Sequence, residues 1–258
     1  MPKVSFRYDP PRVYVAGIST PNKFEIERYL QSRNLSWAGV DDATPAALVE
    51  LGGRICYESF HNPKGRTREE YIQDSILASH HGSVTEHVSL NLIVEGLPRA
   101  ILMELTRHRQ GVAYSWRSTR FVDKWMEFMI PARIQGTPAE YDFIRATGAA
   151  VDAYVMAVQS VDPLTDDPTL ARKRRREAAR NILGGNLTSD GLFTCNIRAL
   201  RHIIQMRTDA HADFEFRRFA AELFFESEAA APEFFADADV QVVDELPQVR
   251  FKNSERAG

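Results

Sequence analysis

The alternation of apolar and polar residues predicts a few strands. Valine or leucine occupies every second position from 88 to 94, and the positions between them include serine and asparagine, which is typical of a strand with one buried face. Val13-Tyr14-Val15-Ala16-Gly17 and Leu192-Phe193-Thr194-Cys195 predict two shorter strands. These strands are separated by longer segments whose apolar residues recur at helical spacing.

A capping pattern marks two helix starts. In this pattern a threonine precedes the first turn of the helix, and a glutamate follows it by three residues. Residues 67–70 (Thr-Arg-Glu-Glu) and 137–140 (Thr-Pro-Ala-Glu) both show this pattern. We expect Gly82 to end the first of these helices in a left-handed conformation. Helices with both ends predicted span residues 23–32, 67–81, 137–157, about 170–183 and about 197–229. Two further helices are predicted by their starts: one begins at Thr44-Pro45, and one begins at Pro98 and carries Arg107.

Helices that alternate with few strands indicate an α+β fold, with a mixed or antiparallel sheet flanked by long helices. The chain has 258 residues, of which 44% are hydrophobic, so it can bury a substantial core. Neither an internal repeat nor a proline- or glycine-rich linker divides it. We therefore expect a single domain over residues 1–258, with residues 1–12 and about 240–258 peripheral.

The composition favours small anionic ligands over polyanions. The net charge of -3 argues against a general nucleic-acid binder, although local basic clusters can still bind phosphate. Two cysteines, Cys56 and Cys195, are too few for a disulfide framework, which indicates a reducing cytoplasm. The N-terminal residues lack the apolar region of a signal peptide, and no apolar run has the length of a membrane span. We expect a cytoplasmic protein without a membrane partner.

Arginines interrupt two apolar segments. Arg107-His108-Arg109 follows the apolar residues 100–105, and such cations either complement the end of a helix dipole or bind carboxylate or phosphate oxygens. Arg207 shares a predicted helical stripe with Leu200, Ile204 and His211. A buried guanidinium needs an anionic partner, which could be an acid of the same chain or a ligand.

Residues 172–176 form a basic run, and Arg172, Arg176 and Arg180 lie on one helical face. A solvated basic face is the stronger hypothesis for such a run, and a phosphate site is the alternative. Nucleic-acid binding is a weaker hypothesis, since no interleaved aromatic residues offer base stacking.

A metal site has little support. His80, His81 and His87 lie near Glu86, but their spacing fits no common ligand pair of a helix. Hydrogen bonding to a polar ligand, or helix capping, explains these residues equally well. The sequence also lacks the familiar glycine-rich dinucleotide loop, the Walker loop and the serine elbow of hydrolases. We therefore expect no metal.

Together these motifs resemble the flavin-dependent thymidylate synthase family, whose signature is Arg-His-Arg followed after a short spacer by serine. The resemblance covers most of the chain. The motifs that carry it are Cys56-Tyr57-Glu58-Ser59, His81-Gly82-Ser83-Val84-Thr85-Glu86-His87, Glu104 to Arg109, Ser118-Thr119-Arg120-Phe121, Glu177-Ala178-Ala179-Arg180, and Asn196-Ile197-Arg198 through Arg207 to Glu215.

The resemblance implies a single catalytic domain that assembles into a homotetramer, with active sites at subunit interfaces. It implies reductive methylation of dUMP to dTMP, with FAD as cofactor and with NADPH and methylenetetrahydrofolate as co-substrates. The implied flavin-binding residues are Ser83, Glu86, Arg107, His108, Arg109, Asn196, Arg198 and His202. The implied substrate-binding residues are Glu104, Ser118, Thr119, Arg120, Arg180 and Arg207. The implied catalytic residues are Arg207, Ser118 and His81.

The chemistry of this reaction explains the residue types. FAD carries a pyrophosphate and dUMP a phosphate, so a site for both needs several arginines. By the resemblance, Arg180 would hold the phosphate of dUMP, and Arg207 would stabilise negative charge that develops on the pyrimidine. Flavin chemistry requires no side-chain nucleophile, so we expect Ser118 to bind substrate. Cys56 and Cys195 are expected to be small, buried or half-buried residues.

The spacer after Arg-His-Arg departs from the family pattern. Residues 110–117 place eight residues before the serine, one more than usual, and Trp116-Arg117 is an unexpected pair. A changed loop over the pyrimidine would allow a related activity, the FAD- and folate-dependent hydroxymethylation of dUMP or dCMP. A non-catalytic nucleotide- or nucleic-acid-binding protein is a more distant alternative.

Overall fold

A computed structural model describes residues 2–61, 67–79, 81–121 and 125–253. The chain forms two compact units. Unit 1 consists of Met1–Arg12, Val94–Arg107 and Tyr114–Leu192, and unit 2 consists of Val13–Ile93, His108–Ala113 and Phe193–Gly258. Within the described ranges, no helix combines the length and the apolar character needed to cross a membrane.

The described residues contain both helices and strands. The strands are β1 Lys3–Arg7, β2 Arg12–Ile18, β3 Ser89–Pro98, β4 Val112–Trp116, β5 Trp125–Met129, β6 Thr188–Asn196, β7 Ala238–Val243 and β8 Leu246–Phe251. The α-helices are α1 Lys23–Ser32, α2 Pro45–Cys56, α3 Arg68–Glu70, α4 Arg99–Leu105, α5 Pro138–Ser160, α6 Pro168–Ala179, α7 Ile197–Arg207 and α8 Phe214–Ala230.

The described strands form separate sheets with both parallel and antiparallel pairs, and together with the helices they confirm the α+β class. A four-stranded sheet has the order β2-β3-β6-β4. β1 pairs with β5 in parallel, and β7 pairs with β8 as an antiparallel hairpin. The three strands predicted from apolar alternation correspond to β2, β3 and β6.

Unit 1 packs α5 and α6 over a core that includes Phe128, Val151 and Leu187. The predicted start of α5 is confirmed, but its capping box is not formed. The Thr137 hydroxyl provides no cap, because it donates to the Ile134 carbonyl at 2.6 Å. The Glu140 carboxylate accepts hydrogen bonds from the Gly136 N–H at 2.6 Å and from the Tyr8 hydroxyl at 2.8 Å. Local contacts and one distant contact thus replace the capping box.

The predicted helix over residues 67–81 is correct at its start and wrong at its end. Thr67 and Glu70 form the reciprocal capping box that opens α3. The helix then continues as a π-helical segment, Tyr71–Leu77. Gly82 does not stop a helix; it begins a short 3-10 helix, Gly82–His87. The wider spacing of the π-helical turns, with the His81 N–H bonded to the Ile76 carbonyl, ends the helix early.

The single helix predicted for residues 197–229 is two helices, α7 and α8. The Thr208 hydroxyl donates to the Ile204 carbonyl at 2.8 Å, and Asp213 caps the first N–H groups of α8. The apolar periodicity continues across the break and hides it. His211 consequently lies outside the predicted stripe, and its side chain is 98% exposed.

Three further boundaries differ from the prediction. Arg107 follows α4 in a turn instead of lying on the helix. α6 ends at Ala179, and a 3-10 turn, Arg180–Ile182, replaces its predicted last residues. The segment expected to be peripheral after about residue 240 contains β8, where Val249 and Phe251 are buried.

Candidate active site

The loop after Arg107 is bound to the start of α7 within unit 2. The Asn196 N–H donates to the Gly111 carbonyl at 2.9 Å. Gly111 has a φ of 67°, and a side chain there would collide with the Asn196 carboxamide. Asn196 also caps α7, since its Oδ1 accepts the Ala199 N–H at 2.9 Å. Residues 108–111 are therefore fixed against the N-terminal turn of α7.

His108 and Arg207 form the central pair of this site. The Arg207 Nε–H donates to Nε2 of His108 at 3.0 Å, so this imidazole nitrogen is an acceptor. Burial, followed by the charge of Arg207 and then by His202, lowers the pKa of His108 from its ordinary value of 6.5 to about 4. His108 is thus neutral at physiological pH and leaves Arg207 as the fixed cation.

A buried phenyl ring supports the other side of the Arg207 guanidinium. The guanidinium carbon lies 4.6 Å from the centroid of Phe216, a fully buried residue of α8. The rings of His108 and His202 meet edge to face with centroids 6.0 Å apart. The structure therefore brings together three predicted site residues, His108, His202 and Arg207, and adds Phe216.

Phe216 was not among the residues predicted from sequence. It lies nine positions after Arg207, across the break between α7 and α8, so no helical spacing relates the two. The sequence signal for Phe216 was that an aromatic residue follows soon after Asp213, the cap of α8. An ordinary core residue of a helix gives the same signal.

The short 3-10 helix Gly82–His87 contributes a second contact to α7. Nη1 of Arg198 lies 2.6 Å from Oε1 of Glu86, and both side chains are partly exposed. The Ile197 N–H donates to the Val88 carbonyl at 2.9 Å, which attaches α7 to the end of the same helix. Ser83 is exposed on this helix. The predicted residues Ser83, Glu86 and Arg198 therefore belong to connected elements.

His81 lies at the start of the same 3-10 helix but does not cap it with its side chain. Its ring meets the edge of Tyr57 at a centroid distance of 5.9 Å, and Tyr57 is 66% exposed. Within the ranges that the structure describes, no three His, Cys, Asp or Glu residues are grouped as metal ligands. His80, the first residue of the weighed metal group, lies outside those ranges.

A second group of predicted residues lies in unit 1, where the turn at Ser118 is bound to α6. Nη2 of Arg120 is 2.5 Å from Oε2 of Glu177, and the Arg120 N–H donates to Oγ of Ser118 at 3.3 Å. Nη1 of Arg176 donates to the Phe121 carbonyl at 2.7 Å. α6 thereby fixes both the side chain of Arg120 and the backbone of the turn.

Of the remaining predicted residues, Arg180, Thr119 and Glu104 of unit 1 are half-buried. Arg180 caps the C-terminal end of α6, three residues after Glu177 and on the same side of the helix. Thr119 follows Ser118 and lines a small internal cavity together with Trp125. Glu104 lies on α4, and its carbonyl accepts the N–H of Arg107 at 3.1 Å. Arg107 and Arg109 are both exposed.

Comparison with known proteins identifies the family. Residues 40–233 match the family model described as thymidylate synthase complementing protein. A flavin-dependent thymidylate synthase of Mycobacteroides abscessus is 35% identical over 228 residues, covering 86% of this chain and 90% of the relative. One of Mycolicibacterium vanbaalenii is 36% identical over 211 residues, covering 79% of this chain and 84% of the relative. The chain belongs to the flavin-dependent thymidylate synthase family.

A solved structure supports the same fold. A UMP/dUMP methylase from Streptomyces cacaoi, named PolB and bound with 5-Br UMP, has a TM-score of 0.64 and 20% sequence identity. The similarity covers 91% of this chain and 97% of the methylase. All residues of the predicted flavin and nucleotide sites lie within the part of the chain that the family model matches.

The unusual Trp116-Arg117 pair of this family member has a structural role. Trp116 is the last residue of β4 and packs on Gly191, whose missing side chain makes room for the indole. Arg117 donates to the Thr188 carbonyl at 3.1 Å and lies 3.4 Å from the Asp190 carboxylate. The expectation that Trp116 belongs to a loop is therefore wrong, because residues 112–116 form a strand.

The basic run of α6 is bonded to the backbone of its own unit. Arg174 donates to the carbonyls of Pro163 and Leu164 at 3.0 and 2.9 Å, and Arg175 donates to the Val161 carbonyl at 3.2 Å. Arg176 donates to the Phe121 carbonyl, so three successive guanidiniums are hydrogen-bonded to the backbone of neighbouring loops. This arrangement accounts for the charge of these residues without a polyanionic ligand.

The two cysteines differ in environment. Cys195 is fully buried, and burial raises the pKa of its thiol well above the ordinary value. The thiolate form is therefore absent at physiological pH, and the residue is an apolar part of the core. Cys56 is exposed at the end of α2, which corrects the expectation that both cysteines are buried or half-buried.

Proposed function

We propose that this chain is a thymidylate synthase that converts dUMP to dTMP by reductive methylation. It uses FAD as cofactor, NADPH as reductant and methylenetetrahydrofolate as carbon donor. Membership of the flavin-dependent family supports the reaction class. The observation that carries the residue assignment is Arg207, a cation fixed between a neutral imidazole and a buried phenyl ring.

The side chains around α7 fit FAD by their chemistry. The pyrophosphate of FAD requires cationic donors, and Arg107, Arg109 and Arg198 are exposed guanidiniums. Hydrogen-bonding groups beside them complete the proposed set of Ser83, Glu86, His108, Asn196 and His202. Bound FAD supplies the hydride that this reductive methylation consumes. The task of the chain is to hold and orient the reactants.

The nucleotide is held by arginines of fixed orientation. Arg180 binds the phosphate of dUMP, and Ser118, Thr119 and Arg120 complete the binding turn. Glu177 orients the Arg120 guanidinium and balances part of the positive charge before substrate binds. Glu104 is assigned to the same substrate set.

Arg207 stabilises negative charge that develops on the pyrimidine during the reaction. The hydrogen bond from its guanidinium to His108 fixes the direction of its remaining donors. Because His108 is neutral, it adds no second positive charge beside Arg207. Burial of Phe216 excludes water from one face of the guanidinium, which strengthens its electrostatic effect.

No side-chain nucleophile is part of this proposal. Ser118 binds the substrate through its hydroxyl, which in the free protein accepts the N–H of Arg120. His81 lies at the edge of the flavin and folate region and orients these reactants. We also propose a cytoplasmic homotetramer with active sites at subunit interfaces, and neither nucleic acid nor membrane as partner.

The hydroxymethylase alternative loses its main support, because Trp116 and Arg117 are engaged in β4 and its neighbours. The alternative of a non-catalytic nucleic-acid binder is weakened by the intramolecular bonding of Arg174, Arg175 and Arg176.

The proposal is tested with purified protein supplied with FAD. We expect the protein to retain FAD through gel filtration and to oxidise NADPH faster when dUMP is present. Light scattering on the same sample measures the oligomer and is expected to give a tetramer. A protein that does not bind FAD, or whose NADPH oxidation is indifferent to dUMP, would contradict the proposal.

A further inference from the structure

The C-terminal hairpin β7–β8 is bonded to α7 along the length of the helix. Each contact joins a polar side chain of α7, or of the turn after it, to the hairpin or its flanking residues. The contacts are Arg201 with Asp237, Gln205 Oε1 with the Phe251 N–H at 3.0 Å, Thr208 Oγ1 with the Val249 N–H at 2.9 Å, and Asp209 Oδ2 with Gln248 Nε2 at 2.8 Å.

The pair of Arg201 and Asp237 is the buried ion pair among these contacts. The residues are 7% and 5% exposed, and the guanidinium donates to both carboxylate oxygens, at 2.7 and 2.9 Å. The guanidinium carbon also lies 3.9 Å from the ring centroid of Phe251, and Nη1 donates to the Phe234 carbonyl. The Asp237 carboxylate accepts the Asn253 N–H at 3.0 Å. One ion pair therefore joins α7 to both ends of the hairpin.

The contacts to the hairpin and two residues of the candidate site lie on adjacent sides of α7. Arg201, Gln205 and Thr208 follow the i, i+4, i+7 spacing of one helical face, and Arg201 and Thr208 are buried. Arg198 and His202 lie beside this face at i, i+4 spacing and are exposed. A helix moves as a rigid element, so contacts on its buried side fix the positions of side chains on its exposed side.

Directional contacts set a register that apolar packing alone does not. A helix displaced by one residue moves about 1.5 Å along its axis and rotates about 100°. Apolar surfaces tolerate small displacements, whereas a two-point pair of guanidinium and carboxylate is satisfied in one geometry. A buried ion pair also has a high desolvation cost and contributes little net stability. Its best-attested role is to specify one arrangement.

We infer that the hairpin β7–β8 is a positioning element of the active site and that Arg201 and Asp237 are its positioning residues. They hold α7 in the register that places Arg198, His202 and Arg207 for flavin and nucleotide. This inference rests on the roles that the proposed function gives to those three residues. Arg201 and Asp237 themselves act through the helix.

The test replaces the ion pair by apolar residues in the double variant Arg201→Met/Asp237→Leu. Such replacements are often neutral for stability, so we expect a melting temperature close to that of the wild type. We expect the kcat of dUMP-dependent NADPH oxidation to fall about 10- to 100-fold, since displacements near 1 Å have effects of this size. The dissociation constant of FAD should rise, and the visible circular dichroism of bound FAD should change.

Arg7→Met provides the matched control. The Arg7 side chain is 10% exposed and is paired with Glu95 and Glu127 in unit 1, so it is a comparably buried arginine outside α7 and its hairpin. We expect this variant to lose stability without a change in FAD affinity or in the flavin spectrum. Arg201→Lys keeps the charge but loses the two-point geometry, and it should show an intermediate loss of kcat while remaining folded.

The outcomes separate this inference from the proposed function. A wild type that neither binds FAD nor oxidises NADPH contradicts the proposed function. If the wild type is active and the double variant keeps the FAD affinity, the flavin spectrum and the kcat of the wild type, only the inference is contradicted. If the double variant does not fold, Arg201→Lys decides: wild-type kcat and flavin spectrum in this variant contradict the inference, and the intermediate loss supports it.

Discussion

Helices α6 and α7 have similar lengths, 12 and 11 residues, and both carry several arginines, but they use them differently. In α6 the guanidiniums of Arg174 and Arg175 are bonded to backbone carbonyls of a neighbouring loop. In α7 each arginine has a side-chain partner: Glu86 for Arg198, Asp237 for Arg201 and His108 for Arg207.

The difference shows that the density of positive charge is a poor guide to ligand sites. A run of adjacent arginines covers several faces of a helix and is satisfied by whatever carbonyls lie nearby. An isolated arginine among apolar residues has a high desolvation cost, so a specific partner must compensate for it. We therefore expect substitutions in α7 to affect ligand binding and turnover, and substitutions of Arg174 or Arg175 in α6 to affect neither.

The largest effect is expected for Arg207→Ala. Loss of a preorganised charge at the reacting ring typically reduces turnover by about 100- to 1000-fold. FAD should remain largely bound, because the proposed pyrophosphate ligands are other arginines. Steady-state NADPH oxidation and flavin absorbance measure the two quantities in one sample. Equal loss of FAD and of turnover would remove the distinction between Arg207 and the flavin ligands.

The next largest effect is expected for Arg109→Ala, which should weaken FAD binding by about 10- to 100-fold, the range of one charge-assisted hydrogen bond to phosphate. Fluorescence titration of the apoprotein with FAD measures it. Arg107→Ala is expected to behave similarly. Unchanged dissociation constants in both variants would show that this exposed Arg-His-Arg segment does not bind the flavin.

A smaller effect is expected for Phe216→Leu, which keeps an apolar side chain but removes the ring that faces Arg207. The expected loss of kcat is about 3- to 10-fold, the value of one cation–π contact, with unchanged FAD affinity. Phe224→Leu is the control, since Phe224 is also buried in α8 but belongs to an aromatic group with Phe225 and Phe235. A kcat loss of the same size in both variants would mean that general packing of α8 is responsible.

His108 should make the stability of unit 2 sensitive to acid. Its pKa is about 4 in the folded protein and 6.5 ordinarily, so its contribution is complete above pH 6.5 and is lost as the pH falls towards 4. His108→Asn removes this titration. We expect the melting temperature of the wild type to fall more between pH 7 and pH 4.5 than that of the variant. Parallel pH profiles would contradict the assignment of a neutral, buried His108.

The smallest effect is expected for Arg174→Ala in α6. Its two hydrogen bonds go to carbonyls of a partly exposed loop, so kcat, KM for dUMP and FAD affinity should stay within about twofold of the wild type. A large rise of KM for dUMP would show that the basic run of α6 participates in the nucleotide site.

Local patterns predicted most elements and failed where distant contacts decide. The capping box at Thr67 and Glu70 forms. At Thr137 it does not, because the hydroxyl is bonded to the Ile134 carbonyl and Glu140 accepts from Tyr8, a residue far away in sequence. The break between α7 and α8 escaped prediction because Thr208 is bonded to Val249 on the hairpin. Sequence spacing carries no information on such partners.

The candidate site shows the same limit. The Arg-His-Arg segment and Arg207 were identified from their position among apolar residues and from the resemblance to the family. The partners that orient them could not be identified, since Phe216 and Asp237 acquire their roles through tertiary packing. The interpretation of Trp116 as a loop residue failed for the same reason, because its packing on Gly191 depends on strand pairing.

The most direct test of the account is the identity of the product formed from dUMP. The FAD-loaded protein is incubated with dUMP, NADPH and methylenetetrahydrofolate, and the nucleotide is examined by mass spectrometry. The account predicts dTMP, which carries one added methyl group and forms only when FAD and the folate are both present. A hydroxymethylated nucleotide, or unchanged dUMP with a protein that holds its FAD, would contradict it.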